Sequence, residues 1–324
     1  MSVILEATHE KDSRPCRDGM ALTLLDMMER DPSVCYIDCD LMGCVNTKQL
    51  RARFPERALE AGIAEANAAG VAAGLAATGK KVFVHSFGVF ASRRCYDQVY
   101  MSAAYAGLGV HMLGSDAGVT AAFNGGTHMP LEDAAMYLSI PGCTVLDVCD
   151  YAQLAAVIRA QLDIQGVTYT RFVRKDVMKI YSDDSSFTIG KGLVLRQSAA
   201  DQAAIICSGI MVDEALKAQE ALMAQGVSVR VIDMFTWKPL DRELLIRAAA
   251  ETGAIVTAEN HSVGCGLGAE VARCLSTALP TPQRYVGVQD RFGQVGPQDF
   301  LMNEYSLRAA DIVAAVKEVI AEKR

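Results

Sequence analysis

Short apolar runs alternate with longer amphipathic segments along most of the first 180 residues. The runs have strand length and the amphipathic segments have helix length, so their alternation predicts an α/β unit. This order is typical of a mostly parallel sheet covered by helices on both faces. Strands are expected over residues 34–37, 81–85, 110–114, 144–148 and 168–173. Helices are expected over residues 18–30, 63–78, 96–106 and 150–161, and from about residue 130.

A polar stretch over residues 182–192 interrupts this pattern and predicts a linker. We therefore divide the chain into residues 1–187 and residues 188–324. The alternation resumes after the linker, which predicts a second, smaller α/β domain. Its strands are expected over residues 203–207, 228–232, 254–258 and 284–287, and its helices over residues 212–224, 241–252, 269–279 and 307–322.

Composition and charge narrow the class of protein. A chain that is 51% apolar and 21% charged is typical of a compact globular protein and excludes a disordered one. The net charge of −7, without a basic stripe, argues against a nucleic-acid partner. No apolar run reaches the ~18 residues of a membrane span, and the start of the chain lacks a signal-peptide pattern, so we expect a cytoplasmic protein. The 10 cysteines include no CxxC pair and are expected to be reduced structural thiols.

Glu65 lies in the first turn of the helix predicted over residues 63–78, which consists mostly of small apolar residues. A carboxylate in the first turn of a helix is favoured by the helix dipole, so an ordinary solvated glutamate is one interpretation. The other is a buried acid that hydrogen-bonds a basic ring nitrogen, because this helix has little polar surface. The residues alone leave both alternatives open.

Phe87 and Phe90 follow a predicted strand in a chain with only 6% aromatic residues. Two rings at the end of a strand could hold a flat heterocycle, or they could belong to the core. Arg93 and Arg94, which come next, could pair with an anionic substrate or with a neighbouring subunit.

Two glycine-rich segments, residues 114–118 and 124–128, lie beyond the end of the strand at residues 110–114. Open α/β sheets bind ligands at the carboxyl ends of their strands. His128 could act there as a general acid or base, or it could be structural. Arg171 and Arg174 could bind an anionic group or lie solvated at the surface.

Taken in order, these motifs resemble the carboxyl-terminal half of transketolase, in the split form in which two chains replace one. The resemblance runs from about residue 18 to the end of the chain. The matching segments are GIAE, VAAGLAATGK, SFGVFASRRCYDQ and GGTH, then SGIMVDEA, VRVIDMFTWKPLD and AENHSVGCGLG. The resemblance implies a thiamine-diphosphate-binding fold, with a pyrimidine-binding domain followed by a smaller transketolase C-terminal domain. It also implies a transferase that moves a two-carbon ketol unit from a ketose to an aldose.

The resemblance assigns roles to four of these residues. Glu65 would hydrogen-bond the ring nitrogen of the aminopyrimidine of thiamine diphosphate and favour its imino tautomer. Phe87 and Phe90 would form the aromatic wall against that ring, with Phe90 as the stacking ring. His128 would reach the first hydroxyls of the donor ketose.

The substrate's anionic end is implied to bind Arg174, which matches the family's phosphate-binding arginine, with Arg171 as a helper. Two positions depart from the family pattern. Asn124 replaces an acidic residue that reads a sugar hydroxyl, and Asp116 replaces a phosphate-binding histidine. Because an acid repels a phosphate dianion, we expect a sulfonated, branched or otherwise modified sugar.

A GDG motif holds the diphosphate and Mg²⁺ in this family, and no GDG occurs in the sequence. We therefore expect this chain to supply no metal ligand. An N-terminal transketolase subunit would hold the diphosphate and Mg²⁺, in an α2β2 assembly with sites across the subunit interfaces.

Three other functions are alternatives to transketolase. The β subunit of a 2-oxo acid dehydrogenase shares the architecture and cofactor, but the two phenylalanines and GGTH favour transketolase. A non-catalytic scaffold subunit is disfavoured by Glu65. A nicotinamide dehydrogenase is disfavoured because residues 264–268 lack the GxGxxG spacing. His261 could contact either substrate or a domain interface.

Overall fold

Two β-sheets organise residues 3–323, which are the residues that this computed structural model describes. The first sheet is a 7-stranded sheet in the order β10-β5-β6-β4-β3-β1-β2. Its strands are β1 (Val34–Asp38), β2 (Ala58–Glu60), β3 (Lys81–Phe87), β4 (Val110–Ser115), β5 (Thr144–Asp147), β6 (Thr168–Phe172) and β10 (Thr236–Lys238). All neighbouring strands pair in parallel, except that β10 runs antiparallel to β5.

The helices that precede or connect the first six of these strands pack against the first sheet and against one another. They are α1 (Cys16–Arg30), α2 (Lys48–Arg53), α3 (Glu65–Ala77), α4 (Gly88–Arg93), α5 (Tyr96–Gln98), α6 (Asp133–Leu138) and α7 (Tyr151–Gln161). A π-helical segment, Val99–Ala104, directly continues α5.

The second sheet is a 5-stranded sheet in the order β12-β11-β8-β9-β7. Its strands are β7 (Leu193–Arg196), β8 (Ala204–Cys207), β9 (Arg230–Asp233), β11 (Ile255–Ser262) and β12 (Gln283–Val288). The helices of this region are α8 (Met211–Met223), α9 (Arg242–Thr252), α10 (Leu267–Ala278), α11 (Gln298–Glu304) and α12 (Ala309–Ala321). The strands pair in parallel except β7 with β9.

The predicted α/β class is confirmed, and the strands β1, β3, β4, β5 and β6 begin at the residues expected from the sequence. The pattern does not predict β2, β7 and β10, nor the short helices α2, α4 and α11. The helix expected over residues 96–106 is instead α5 with its π-helical continuation, and the helix expected from residue 130 begins at Asp133.

β10 connects the two parts of the chain, because it follows the predicted linker yet completes the first sheet. Its Trp237 is fully buried, and the indole Nε1 donates a hydrogen bond of 3.0 Å to Ser208 Oγ. That hydroxyl in turn donates to Asp147 Oδ2 over 2.7 Å. The two sheets are therefore joined by a buried hydrogen-bonded junction as well as by the chain.

The small side chains of α3 bring this helix close to the first sheet. Ala68, Ala69, Ala72 and Ala73 are all buried, and α3 packs against β3 and the π-helical segment. Alanine adds little volume between a helix and its neighbours, so the backbones can approach closely. This packing positions the amino-terminal residue of α3, Glu65, beside the carboxyl end of β3.

Candidate functional site

Glu65 is a buried carboxylate with two partners. Glu65 is only 3% exposed, which argues against the interpretation that it is an ordinary solvated glutamate. Ser86, next to the end of β3, donates its hydroxyl to Glu65 Oε1 over 3.0 Å. Nη1 of Arg94 lies 3.3 Å from Oε2 and 3.4 Å from Oε1. A buried charge needs such partners, so Ser86 and Arg94 make the position of this acid possible.

Arg94 also covers the ring of Phe90. Its guanidinium carbon lies 3.7 Å from the centroid of the Phe90 ring, a cation–π contact. Phe90 is partly exposed, whereas Phe87, at the end of β3, is 9% exposed. A planar polar group is thus stacked on Phe90 and hydrogen-bonded to Glu65 at the same time.

His128 completes an aromatic cluster with Phe87 and Phe90. The ring centroids of Phe90 and His128 are 5.1 Å apart in an edge-to-face arrangement, and those of Phe87 and His128 are 6.1 Å apart. His128 Nδ1 lies 2.9 Å from the hydroxyl of Thr127, which orients the imidazole. The imidazole of His128 is partly exposed and packs against both phenylalanine rings.

The loop that carries His128 depends on glycine for its packing. Gly125 has a φ of +79°, in the left-handed region that glycine favours. A Cβ on Gly126 would lie 2.1 Å from the carbonyl oxygen of Gly293, so the two segments could not approach as they do. Asn124 lies exposed at the start of this turn.

Asp116 and Arg174 form an ion pair at the carboxyl ends of β4 and β6. Arg174 Nε donates to both carboxylate oxygens of Asp116, at 3.0 Å and 3.3 Å. Burial raises the pKa of Asp116, while the charge and hydrogen bond of Arg174 oppose that increase. Asp116 adopts a φ of +60°, a conformation that aspartate tolerates better than most residues. The guanidinium of Arg174 lies 5.4 Å from the centroid of the Phe87 ring, which connects this pair to the aromatic cluster.

Arg171 lies apart from these residues, in the junction between the two sheets. It is fully buried, and its Nε donates to Asp133 Oδ2 over 3.1 Å. Its Nη1 is 3.7 Å from Asp147 Oδ1, and its Nη2 donates to the carbonyl of Asn260 over 3.1 Å. Because these groups enclose its guanidinium, the candidate substrate site does not include Arg171.

His261 lies in the same junction. It is fully buried, its ring meets that of Trp237 edge to face at 5.4 Å, and burial lowers its pKa to about 4. Of the two locations left open by the sequence, the structure therefore gives the domain interface.

Six of the predicted residues meet near the carboxyl ends of β3, β4 and β6 through direct contacts, and Asn124 lies four residues before His128 on the same loop. The six are Glu65, Phe87, Phe90, His128, Asp116 and Arg174. The sequence analysis missed Ser86 as a partner of Glu65 and left Arg94 with two other roles. A polar residue at the carboxyl end of a buried strand was the available signal for Ser86.

Comparison with known proteins places the chain in a family. Residues 13–179 match the profile described as "Transketolase, pyrimidine binding domain", and residues 190–312 match "Transketolase, C-terminal domain". The chain belongs to the transketolase family. This result agrees with the resemblance derived from the motifs.

Individual relatives support the same assignment. The chain is 47% identical to a 6-deoxy-6-sulfo-D-fructose transketolase subunit of Clostridium sp. (strain MSTE9), with 95% of each chain covered. It is 36% identical to a putative transketolase C-terminal section of Methanocaldococcus jannaschii, over 93% of this chain and 95% of the relative. A solved structure titled "Split gene transketolase, inactive beta4 tetramer" superposes with a TM-score of 0.88 at 37% identity, covering 97% of this chain and all of that one.

These relatives support a transketolase-type transferase that is the C-terminal subunit of a split transketolase, rather than a 2-oxo acid dehydrogenase. Thiamine diphosphate dependence follows from the family. The site fits the coenzyme's aminopyrimidine, because the flat, hydrogen-bonding guanidinium of Arg94 already makes the two contacts that such a ring needs, with Phe90 and Glu65.

Three other features bear on the remaining expectations. All ten cysteines are free, and only Cys44 and Cys265 are not fully buried. Across residues 3–323, no group of three or more His, Cys, Asp or Glu side chains is arranged to hold a metal ion. Within the same described part of the chain, no helix combines the length and apolar character needed to cross a bilayer.

Proposed function

We propose that this chain is the pyrimidine-binding subunit of a cytoplasmic two-chain transketolase. An N-terminal partner subunit would supply the diphosphate and Mg²⁺ site, and the two chains would assemble as α2β2. The observation that carries the proposal is the 47% identity to a transketolase subunit over 95% of both chains, together with the cluster around Glu65.

In this function Glu65 is the catalytic acid that hydrogen-bonds the ring nitrogen of the aminopyrimidine. Its burial supports the role, since a hydrogen bond to a carboxylate is stronger where water is excluded. Ser86 holds one carboxylate oxygen and so orients the other toward the ring. Thiamine diphosphate, when bound, supplies the nucleophilic carbon that cleaves the ketose.

Phe90 and Phe87 form the wall against which the pyrimidine ring stacks, and His128 reaches the donor sugar. The proposal for His128 is supported by its partial exposure and by the two rings that fix its orientation. Its Nδ1 is paired with Thr127, which leaves Nε2 to exchange a hydrogen bond or proton with a sugar hydroxyl.

The Asp116–Arg174 pair supports a sulfonated substrate. A phosphate ester carries about −1.5 to −2 charges at neutral pH, whereas a sulfonate carries a single charge. Asp116 already neutralises much of the charge on Arg174. Its carboxylate also repels a dianion more strongly than a monoanion, so the pair favours a substrate with a single negative charge. The relative at 47% identity is named for a sulfonated ketose, 6-deoxy-6-sulfo-D-fructose. Asn124, exposed near His128, would contact a hydroxyl of the same sugar.

The test is co-purification with the N-terminal partner, followed by ketol-transfer assays with thiamine diphosphate and Mg²⁺. The donors are 6-deoxy-6-sulfo-D-fructose, its phosphate counterpart fructose 6-phosphate, and xylulose 5-phosphate, all with one common aldose acceptor. We expect kcat/KM to favour the sulfonated donor by about tenfold or more, which corresponds to roughly 1.4 kcal/mol. Equal rates with all three donors would refute the substrate assignment. If the assembled complex transfers a ketol unit from none of the three donors, the function itself is refuted.

A further inference from the structure

Arg94 makes the two contacts that the proposed function assigns to a coenzyme ring. Its guanidinium carbon is 3.7 Å from the Phe90 ring centroid, and its Nη1 is within 3.4 Å of both oxygens of Glu65. A guanidinium is planar and presents its N–H donors in that plane, like the polar edge of an aminopyrimidine. One aromatic face and one buried carboxylate are therefore already engaged by a side chain of the protein.

We propose that Arg94 occupies the pyrimidine position of the coenzyme-free chain and leaves it when the coenzyme binds. This inference rests on the proposed function. The same face of Phe90 and the same oxygens of Glu65 cannot serve both groups at once. The Arg94 side chain is 44% exposed and that of Glu65 is 4% exposed, so the arginine has a path into solvent while the carboxylate stays buried.

The contact between Arg94 and Glu65 stabilises the buried carboxylate in the coenzyme-free state. A buried carboxylate without a cation or sufficient donors is strongly destabilising, and Ser86 supplies only one hydrogen bond to Glu65. Arg94 satisfies the remaining oxygen until the ring arrives. The consequence is competition, because the apparent affinity for the coenzyme is reduced by the fraction of molecules in which Arg94 has left.

Arg93 offers a matched control for this competition. It is the preceding residue, carries the same charge, and forms its ion pair with Glu132 rather than with Glu65. Replacing either arginine by alanine changes the net charge near the site equally. A difference between the two variants therefore reports the specific contacts of Arg94 and not the loss of a positive charge.

The experiment measures binding of thiamine diphosphate with Mg²⁺ to the assembled two-chain complex by titration calorimetry, without sugar. We expect the Arg94→Ala complex to bind about fivefold more tightly than wild type, since one partly exposed charged contact no longer competes. The Arg93→Ala complex should bind like wild type. In thermal unfolding, Arg94→Ala should lower the Tm of the coenzyme-free complex but not that of the saturated complex.

Each other result has a defined meaning. Weaker binding by Arg94→Ala than by Arg93→Ala, or equal binding by all three complexes, would overturn the proposal, since Arg94 would then contact the bound coenzyme or not compete with it. If the alanine variant does not assemble, Arg94→Lys keeps the charge but loses the flat fork, and tighter binding than wild type is still expected. Failure of the wild-type complex to bind thiamine diphosphate would refute the proposed function instead.

Discussion

Arg174 holds Asp116 in an ion pair in which the Arg174 Nε lies 3.0 Å from the Asp116 Oδ2. Both side chains are largely withdrawn from water, at 13% and 2% exposure, and Arg174 also lies over the Phe87 ring. Because the pair has little net charge, it is a weaker attractor for a dianion than a free arginine would be. Asp116 is therefore the residue through which the anion preference of this site can be changed.

Replacing Asp116 with asparagine should shift the preference toward phosphorylated sugars. The variant keeps the shape of the side chain but removes the negative charge opposite Arg174. We expect the ratio of kcat/KM for fructose 6-phosphate over the sulfonated donor to rise by about tenfold, or roughly 1.4 kcal/mol. Asp163→Asn is the control, because Asp163 is exposed in the turn between α7 and β6, at the opposite end of β6 from Arg174. An unchanged ratio in Asp116→Asn would show that Asp116 does not face the anion.

Glu65→Gln tests the catalytic acid. Glutamine can still accept the hydrogen bond from Ser86, but its amide cannot exchange a proton with a ring nitrogen as a carboxylate does. We expect kcat for ketol transfer to fall by about 10²-fold or more while the two-chain complex still assembles. Size-exclusion chromatography of the variant with its partner provides the assembly control. Wild-type turnover in this variant would support the scaffold interpretation.

Part of the candidate site could be located from the sequence, because parallel strands end at one edge of a sheet. Ser86 and Phe87 end β3, Asp116 follows β4, and Arg174 follows β6. Phe87, Asp116 and Arg174 could each be placed near a strand end from an apolar run, so their convergence follows from the α/β topology, whereas Ser86 was not recognised. By contrast, no local signal connects Arg94 to Glu65, since the two residues are 29 positions apart and meet only after α3 and α4 have packed.

β10 shows why other parts were not predictable. Three residues, Thr236–Lys238, form a strand that follows β9 of the second sheet in the chain but pairs with β5 of the first sheet. A run this short has no diagnostic periodicity, and its pairing depends on tertiary contacts such as Trp237 to Ser208. Arg171 illustrates the same limit, because the alternation of a strand predicts that it faces away from Arg174 but not that it meets Asp133.

Phe90→Leu tests the stacking wall. Leucine preserves an apolar side chain but has no ring face, so the gain from stacking is lost while burial is largely retained. We expect the complex to bind thiamine diphosphate about three- to tenfold more weakly, in line with the ~0.5–1.5 kcal/mol of an aromatic pair. Phe300→Leu, the same substitution in α11 of the second part of the chain, should leave binding unchanged. Unaltered affinity in Phe90→Leu would assign the stacking surface to another residue.

The buried acids near the sheet junction predict that stability declines as the pH rises through neutrality. Burial raises the pKa of Asp233 and of Glu259 to about 7 in each case. A raised pKa means that the folded chain binds a proton that the unfolded chain has lost, so the associated stability is complete below about pH 4 and disappears as the pH rises through 7. Burial lowers the pKa of His111 and His261 to about 4, and their opposing effect operates only between pH 4 and 6.5. The decline caused by the acids should therefore be clearest between pH 6.5 and 8.

Asp233→Asn isolates one of these groups. Tyr181 and Gln153 both donate to Asp233 Oδ2, at 2.7 Å and 2.8 Å, while Oδ1 has no hydrogen-bond partner among residues 3–323. The amide oxygen of asparagine can accept both hydrogen bonds, so the variant should fold while no longer titrating. Chemical denaturation at pH 6.5, 7.25 and 8 should give a shallower decline than wild type, by at most about 1.4 kcal/mol per pH unit. Asp163→Asn, at an exposed position, should retain the wild-type slope. If Asp233→Asn also retains that slope, Asp233 is already ionised in the folded chain at pH 6.5, and the decline belongs to Glu259 or to groups outside the junction.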